Sequence, residues 1–224
     1  MRCLNPYRKK NPRYPEESPL EFIDCPCGKC YPCLVNRRSD WLLRLRTESL
    51  NYAGVSFVTL TYAPEFLPPA LDKKHLQDFF KRLRHHIPKL KYYAIGEYGT
   101  QNKRPHYHFI AFNDADLRYP VAVSWPYGFT DVECPISAAA LNYVLHYHVR
   151  PKRPFGDSTP ELAALKTFST QSKGLGVSLL LDADGNIKPD IAYMLQNSHD
   201  RLVSTPFGGA GGSTSKPFSS AFLI

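Results

Sequence analysis

No apolar run in this 224-residue chain is long enough to cross a bilayer. Its start, Met1-Arg2-Cys3-Leu4-Asn5-Pro6, lacks the apolar core of a secretory signal. Both absences argue against a membrane partner and lead to the expectation of an intracellular, cytoplasmic protein. No internal repeat is apparent, which argues against a solenoid. Acidic residues are the minority charge: 20 Asp and Glu face 28 Lys and Arg, a formal net charge of +8. Such an excess favours polyanionic partners, nucleic acid being the simplest, although a solvated basic surface gives the same count. Apolar content is not lacking; 43% suffices for a core and argues against a disordered chain.

Six cysteines invite a disulfide framework, but their clustering speaks against one. Cys25, Cys27, Cys30 and Cys33 fall within nine residues, too close for several relaxed bridges. The spacing C-x-x-C-x-x-C is that of metal ligands in a reducing compartment, and zinc suits it. Structural zinc sites usually draw ligands from two segments, and Cys3 stands at the far end of a proline-rich arm. The expected set is Cys3, Cys27, Cys30 and Cys33, with Cys25 competing for the place of Cys3. Unpaired buried thiols are the plain alternative. Cys134 is far from the cluster and is expected in the core.

A second group of ligand types lies mid-chain. Arg104 to Phe112 reads as a strand, so His106, His108, Ile110 and Phe112 point one way and Tyr107, Phe109 and Ala111 the other. Both imidazoles can then reach one ion. The preceding strand, Lys91 to Tyr98, is joined to it by a polar loop of hairpin length, which sets Glu97 beside the histidines. Two imidazoles and one carboxylate with open positions suit a divalent cation acting on an oxygen-rich substrate such as a phosphodiester, and magnesium or manganese is expected. Histidines idle on a half-polar strand are the alternative.

The surrounding pattern is of mixed class. A helix is expected over Leu34 to Glu48 and a β-branched strand over Val55 to Tyr62. Asp72 can cap a helix carrying Leu76, Phe79, Phe80, Leu83 and Ile87, ended by Pro88. With the hairpin, this gives β-α-β-β, the first half of a ferredoxin-like or RNA-recognition-type layered α+β domain. A strand over Gly128 to Cys134 follows, then a helix from Ser137 to Arg150 with Tyr143 and Tyr147 four apart. Those phenols share one face with Arg150, nearly opposite an apolar face of Leu141, Val144, Leu145 and His148. A phenol near pKa ~10 is a weak nucleophile, so attack on a phosphodiester needs a metal to polarise the phosphate.

Taken together, these motifs resemble the HUH endonucleases, the superfamily of rolling-circle replication initiators, relaxases and related transposases. The resemblance is carried by Phe57 to Tyr62, by His106-Tyr107-His108 with its apolar strand, and by the helical pair Tyr143 and Tyr147. Cys27-Gly28-Lys29-Cys30-Tyr31-Pro32-Cys33, Arg38, Trp41 to Glu48, Gly96-Glu97-Tyr98-Gly99, Trp125 and Gly128 make it closer to the initiators of microviruses, gokushovirus branch. It covers roughly residues 1 to 150. It implies an enzyme of an infected bacterial cytoplasm that nicks single-stranded or hairpin origin DNA through tyrosine, leaving a 5′-phosphotyrosyl link that is later rejoined. Host replication proteins are further partners it allows. In that scheme Arg150 or Lys152 assists the phosphate, and aromatics on an open sheet face stack unpaired bases. A transposase of the same superfamily and a non-catalytic zinc-containing nucleic-acid-binding module remain alternatives.

The expected organisation is an arm, knuckle and basic helix over 1–53, an endonuclease core over 54–152, a basic and hairpin extension over 153–206 and a flexible tail over 207–224. Within the extension a short helix is expected from Glu161 to Phe168. Strands are expected on both sides of an acidic turn, Asp182-Ala183-Asp184-Gly185-Asn186. That turn lacks the twelfth-position glutamate of an EF-hand and is read as a turn only.

Overall fold

The computed structural model describes residues 2–11, 16–19, 21–149, 159–160, 165–177, 180–182, 184, 186 and 188–189. It divides into two units, Met1–Asn36 with Asp190–Ile224, and Arg37–Pro189. In the first unit, β1 (Tyr7–Lys10) and β2 (Phe22–Cys25) pair antiparallel with Tyr7 opposite Cys25 and Lys10 opposite Phe22. Helix α1 (Tyr31–Ser49) starts on the last turn of the cysteine cluster.

The second unit is built on one antiparallel sheet. Its strands are β3 (Val55–Tyr62), β4 (Lys91–Tyr98), β5 (Pro105–Phe112), β6 (Gly128–Glu133) and β7 (Phe168–Gln171), in the order β6-β3-β5-β4-β7. Helix α2 (Lys73–His86) links β3 to β4, and α3 (Arg118–Ser124) links β5 to β6. The mixed α+β class read from the sequence is the class observed.

Strand parity decides which residues meet which layer. Val58, Leu60 and Tyr62 of β3, Tyr92 and Ala94 of β4, and Tyr107, Phe109 and Ala111 of β5 face α2, α3 and Trp125. Helix α2 contributes Leu76, Phe79, Phe80 and Leu83, all buried. Each such side chain contributes about 1.5–3 kcal/mol by leaving water. The helix starts where Asp72 accepts from the Lys74 and His75 amides at 2.7 and 3.3 Å. It ends at His86, two residues before Pro88.

On the opposite face, Tyr93, Ile95, Ile110 and Phe112 meet Leu45 of α1 and Val144 and Leu145 of α4 (Ala138–His146). Both faces of the sheet are therefore covered over their apolar rows. This corrects the expectation of an open aromatic face for base stacking: Tyr93 and Phe112 are buried, whereas Phe129 on the edge strand is 67% exposed. That edge strand can approach β3 closely because Gly128 adopts φ +155°. A Cβ there would stand 2.3 Å from the Ala63 nitrogen and 2.5 Å from the Thr61 carbonyl oxygen.

Several elements differ from expectation. Helix α3 interrupts what reads as a loop. Helix α4 stops at His146 instead of running to residue 150, because the Tyr147 amide bonds back to the Val144 carbonyl at 3.3 Å, a tighter turn. Phe168 opens β7 instead of closing a helix, pairing with Gly96; residues 161–164 lie outside the described set. The acidic turn is closed by backbone bonds from Asp182 to Asn186 and from Lys188 to Leu180. Val177, expected to begin a strand, sits instead in a tight turn, its amide bonding to the Gly174 carbonyl at 3.1 Å. Cys134, expected in the core, is exposed, since it lies just past the end of edge strand β6.

Candidate active site

The β4–β5 hairpin fixes the register at the site. Its loop closes through the Gly99 amide and Arg104 carbonyl at 3.0 Å, with Lys103 at φ +50°. Glu97 then stands opposite His106, and His106 opposite Thr61; one step along, Ile95, His108 and Thr59 align in the same way. Directly opposed residues in an antiparallel pair share a face. Glu97, His106 and His108 thus converge, each offering a ligand atom within 4.8 Å of the others. Glu97 is 5% and His108 9% exposed, and His106 is half-buried.

Both imidazoles are held by their Nδ1 atoms. His106 Nδ1 lies 3.1 Å from the Arg104 carbonyl oxygen, and His108 Nδ1 lies 3.0 Å from Thr59 Oγ1. A ring whose Nδ1–H donates presents Nε2 with its lone pair, the arrangement that orients histidine ligands. The Phe57 ring stacks on His108 at 5.3 Å between centroids. The donor set, two nitrogens and one carboxylate on rigid strands with room for further oxygens, fits a divalent cation.

The two tyrosines occupy different places. Tyr143, half-buried on α4, donates its hydroxyl to Glu97 Oε2 at 2.8 Å, and its ring meets His108 edge-on at 5.1 Å. Tyr147 is 7% exposed within the second core cluster and hydrogen-bonds to the side chains of Ser169 and Thr167. Burial holds its phenol above the usual range, and the Glu97 carboxylate adds to the effect. The tyrosines do not lie opposite the apolar side chains of α4, as spacing implies; Tyr143 and Tyr147 belong to the same cluster as Val144 and Leu145. Arg150 and Lys152 lie outside the described residues.

The second group sits in the first unit. Cys3, Cys27, Cys30 and Cys33 offer sulfurs that lie within 4.8 Å of one another, with Cys3 to Cys30 at 3.8 Å and Cys27 to Cys33 at 4.0 Å. A tetrahedron with zinc–sulfur arms of about 2.3 Å has edges of about 3.8 Å, so the cluster fits a structural ion. Backbone amides reach the sulfurs, from Cys27 to Cys3 at 3.2 Å and from Cys30 to Cys27 at 3.3 Å. The Leu4 amide lowers the Cys30 thiol to about 6, while burial pushes the Cys33 thiol up to about 12. Cys25 is in β2 opposite Tyr7 and is not part of the group.

Four contributors escaped the sequence reading: Thr59, the Arg104 carbonyl, Thr167 and Ser169. The parity of Thr59 with His108 across neighbouring strands was the available signal for the first. Among the described residues no helix is long and apolar enough to cross a membrane.

Residues 55–152 match the replication-associated protein ORF2 family. Replication-associated protein ORF2 of Spiroplasma virus 4 is 37% identical over 39% of this chain and 31% of its own length. Replication-associated protein ORF4 of Chlamydia phage 1 is 31% identical over 48% of this chain and 34% of its own. Replication-associated protein VP4 of Bdellovibrio phage phiMH2K is 36% identical over 39% and 31%. The matched region spans about a third of the length of these relatives. The stretch that carries the histidine strand and both tyrosines thus belongs to the replication-associated protein ORF2 family, as the resemblance to phage replication initiators implied.

Proposed function

We propose that the protein is a metal-dependent, site-specific endonuclease and strand transferase that starts rolling-circle replication of a phage genome in the cytoplasm of the infected bacterium. Its substrate is single-stranded or hairpin DNA at the origin, and host replication proteins are natural partners. The observation that carries this reading is the Tyr143 hydroxyl at 2.8 Å from Glu97, inside the group that includes His106 and His108. The net charge of +8 supports a polyanionic substrate.

Magnesium or manganese held by Glu97, His106 and His108 would polarise the scissile phosphate and neutralise its developing charge. The chain itself supplies the nucleophile and its orientation. A tyrosine oxygen attacks phosphorus, the new phosphorus–oxygen bond replaces the bond to the 3′-oxygen, and the phenol proton ends on that leaving oxygen. Glu97 Oε2, already accepting from Tyr143, is placed to carry the proton. The bond energy stays in the 5′-phosphotyrosyl ester, so a 3′-hydroxyl can reverse the reaction without ATP. Arg104 and Thr59 keep the imidazoles oriented through Nδ1. Arg150 or Lys152, close downstream of the tyrosines in sequence, is assigned to the phosphate.

Strand order β6-β3-β5-β4 with α2 and α3 in the connections supports a ferredoxin-like, β-α-β-β-α-β core. Residues 54–152 are assigned as the endonuclease core. Residues 1–53 form the arm, with a zinc ion on Cys3, Cys27, Cys30 and Cys33 to stiffen it. Residues 153–206 are an extension and 207–224 a tail.

The test is to incubate the full chain with Mn²⁺ and single-stranded oligonucleotides tiling the replicon that encodes it, then run denaturing gels. An SDS-resistant protein–DNA adduct is expected, abolished by EDTA and by joint replacement of His106 and His108 with Ala. No adduct on any strand, or an adduct that survives Tyr143→Phe with Tyr147→Phe, defeats the reading.

A further inference from the structure

We infer that the two phenols are not interchangeable: Tyr143 makes the first attack, and Tyr147 is held in reserve by the side chains of Thr167 and Ser169. The inference rests on the nicking function proposed above and assigns an order within it.

Tyr143 needs little rearrangement to act. Its hydroxyl already donates to Glu97 Oε2 at 2.8 Å, and its ring stands edge-on to His108. A reacting group fixed beside the ion ligands has lost most of its orientational freedom before the substrate arrives. The backbone around it is regular helix, with the Ser137 hydroxyl capping α4 through the Ala140 amide at 3.1 Å.

Tyr147 stands four residues later, where the helix has ended. Its amide bonds to the Val144 carbonyl, its ring is buried with Tyr93, Ile95 and Leu175, and its hydroxyl is engaged by Thr167 and Ser169. To reach a phosphate, this phenol must give up those hydrogen bonds and leave an apolar cluster. It nevertheless lies near enough to Glu97 to interact with its charge. The position suits a group that is close but latched.

The latch is located where it can open. Ser169 pairs with Ile95 on β4, one row from the Glu97 and His106 pair, and Thr167 immediately precedes β7. Strand β7 is the last in the order β6-β3-β5-β4-β7 and has only four residues, so it is bonded to the sheet on one side. Short edge strands open at lower free-energy cost than central ones.

The chemistry then has a sequence. In the first transfer a bond forms between Tyr143 Oη and phosphorus, the bond from phosphorus to the 3′-oxygen breaks, and the phenol proton passes by Glu97 Oε2 to that oxygen. Esterified Tyr143 no longer donates to Glu97. Tyr147, released from Thr167 and Ser169, can take that place and attack when the origin strand is regenerated, with the same balance of bonds and proton.

Two measurements test the order. In the metal-free full chain, tetranitromethane followed by peptide mapping should nitrate Tyr143 before Tyr147; joint Thr167→Val and Ser169→Ala should raise Tyr147 nitration about tenfold. With Mn²⁺ and the tiled oligonucleotides, the earliest adduct should map to Tyr143. Tyr143→Phe should slow the first cleavage about a hundredfold or more while Tyr147→Phe leaves it near wild type. The latch substitutions added to Tyr143→Phe should restore part of the cleavage through Tyr147. A first adduct on Tyr147, or nitration unmoved by the latch substitutions, overturns the inference. If wild type forms no adduct on any strand, the nicking function fails with it, and the nitration pattern still decides whether Tyr147 is latched.

Discussion

Thr59 Oγ1 lies 3.0 Å from His108 Nδ1, across the β3–β5 pairing, and this contact decides which nitrogen of His108 faces an ion. A hydroxyl that accepts from Nδ1 fixes the tautomer and holds the ring in place between Phe57 and Tyr143. Thr59→Val keeps the branched shape and removes the acceptor. Mn²⁺ affinity measured by calorimetry should fall about 10–100-fold, the usual penalty for losing such a partner. Thr59→Ser should restore it. Unchanged affinity in the valine variant would show that the ring is held by packing alone.

Glu48 is fully buried on α1 and takes Lys91 Nζ at 2.7 Å and the Gly176 amide at 2.7 Å. It ties α1 to β4 and to the turn after β7. Gly176 must be glycine there, since it has φ +76° and a Cβ would lie 2.7 Å from Arg44 Cα. Lys91→Met strands the carboxylate in the interior and should cost about 3 kcal/mol, the low end for breaking such a pair, because the Lys91 side chain is 36% exposed. Glu48→Gln keeps an acceptor for Gly176 and should cost less, about 1–2 kcal/mol. Urea midpoints with unchanged m-values measure both; equal or reversed losses would contradict the assignment.

Alkaline pH should unfold the protein through its buried phenols. Burial pushes Tyr107 up to about 12 and raises Tyr62, Tyr93 and Tyr98 as well. Unfolded phenols ionise near ~10. The folded state therefore retains protons that the unfolded chain releases, so this stabilisation is complete below pH ~10 and is lost as pH climbs through about 12. A plateau in the urea midpoint to about pH 9, then a decline, is expected. Tyr107→Phe should make the decline shallower. A midpoint that is flat to pH 12 would mean these phenols meet solvent.

Legibility of this fold tracks how local the deciding forces are. Strand β3 and the β4–β5 hairpin could be read because alternation and a loop of hairpin length fix both face and register, which in turn placed Glu97 beside His106. Helix α2 could be read from Asp72 and its apolar offsets. Helix α3 could not: seven residues with Pro120 inside and only Val121 and Ser124 buried carry little periodicity. Strand β7 is Phe168-Ser169-Thr170-Gln171, which is too polar to announce a strand, and exists because β4 offers an edge. The burial of Tyr147 depends on that strand, so helical spacing alone could not reveal it. Cys134 was misjudged because a lone cysteine carries no pattern, and only the end of β6 shows it to be outside.

The cysteine group yields the last prediction, from the unequal state of its thiols. Backbone amides hold Cys30 at about 6 and lower Cys27, whereas burial holds Cys33 at about 12. At pH 7 Cys30 is therefore mostly thiolate and Cys33 carries its proton. An ion bound by all four sulfurs must displace at least that proton, since thiolate is the ligand. Zinc titration of the metal-free chain in two buffers of different ionisation enthalpy should report release of about one proton or more per ion. Apparent affinity should rise about tenfold per pH unit for each proton released between pH 6 and 8. Cys3→Ser should weaken binding at least about tenfold, whereas Cys25→Ser should leave it unchanged. Proton-neutral binding would contradict the protonation state of Cys33, and equal losses from Cys3→Ser and Cys25→Ser would move the fourth ligand onto β2.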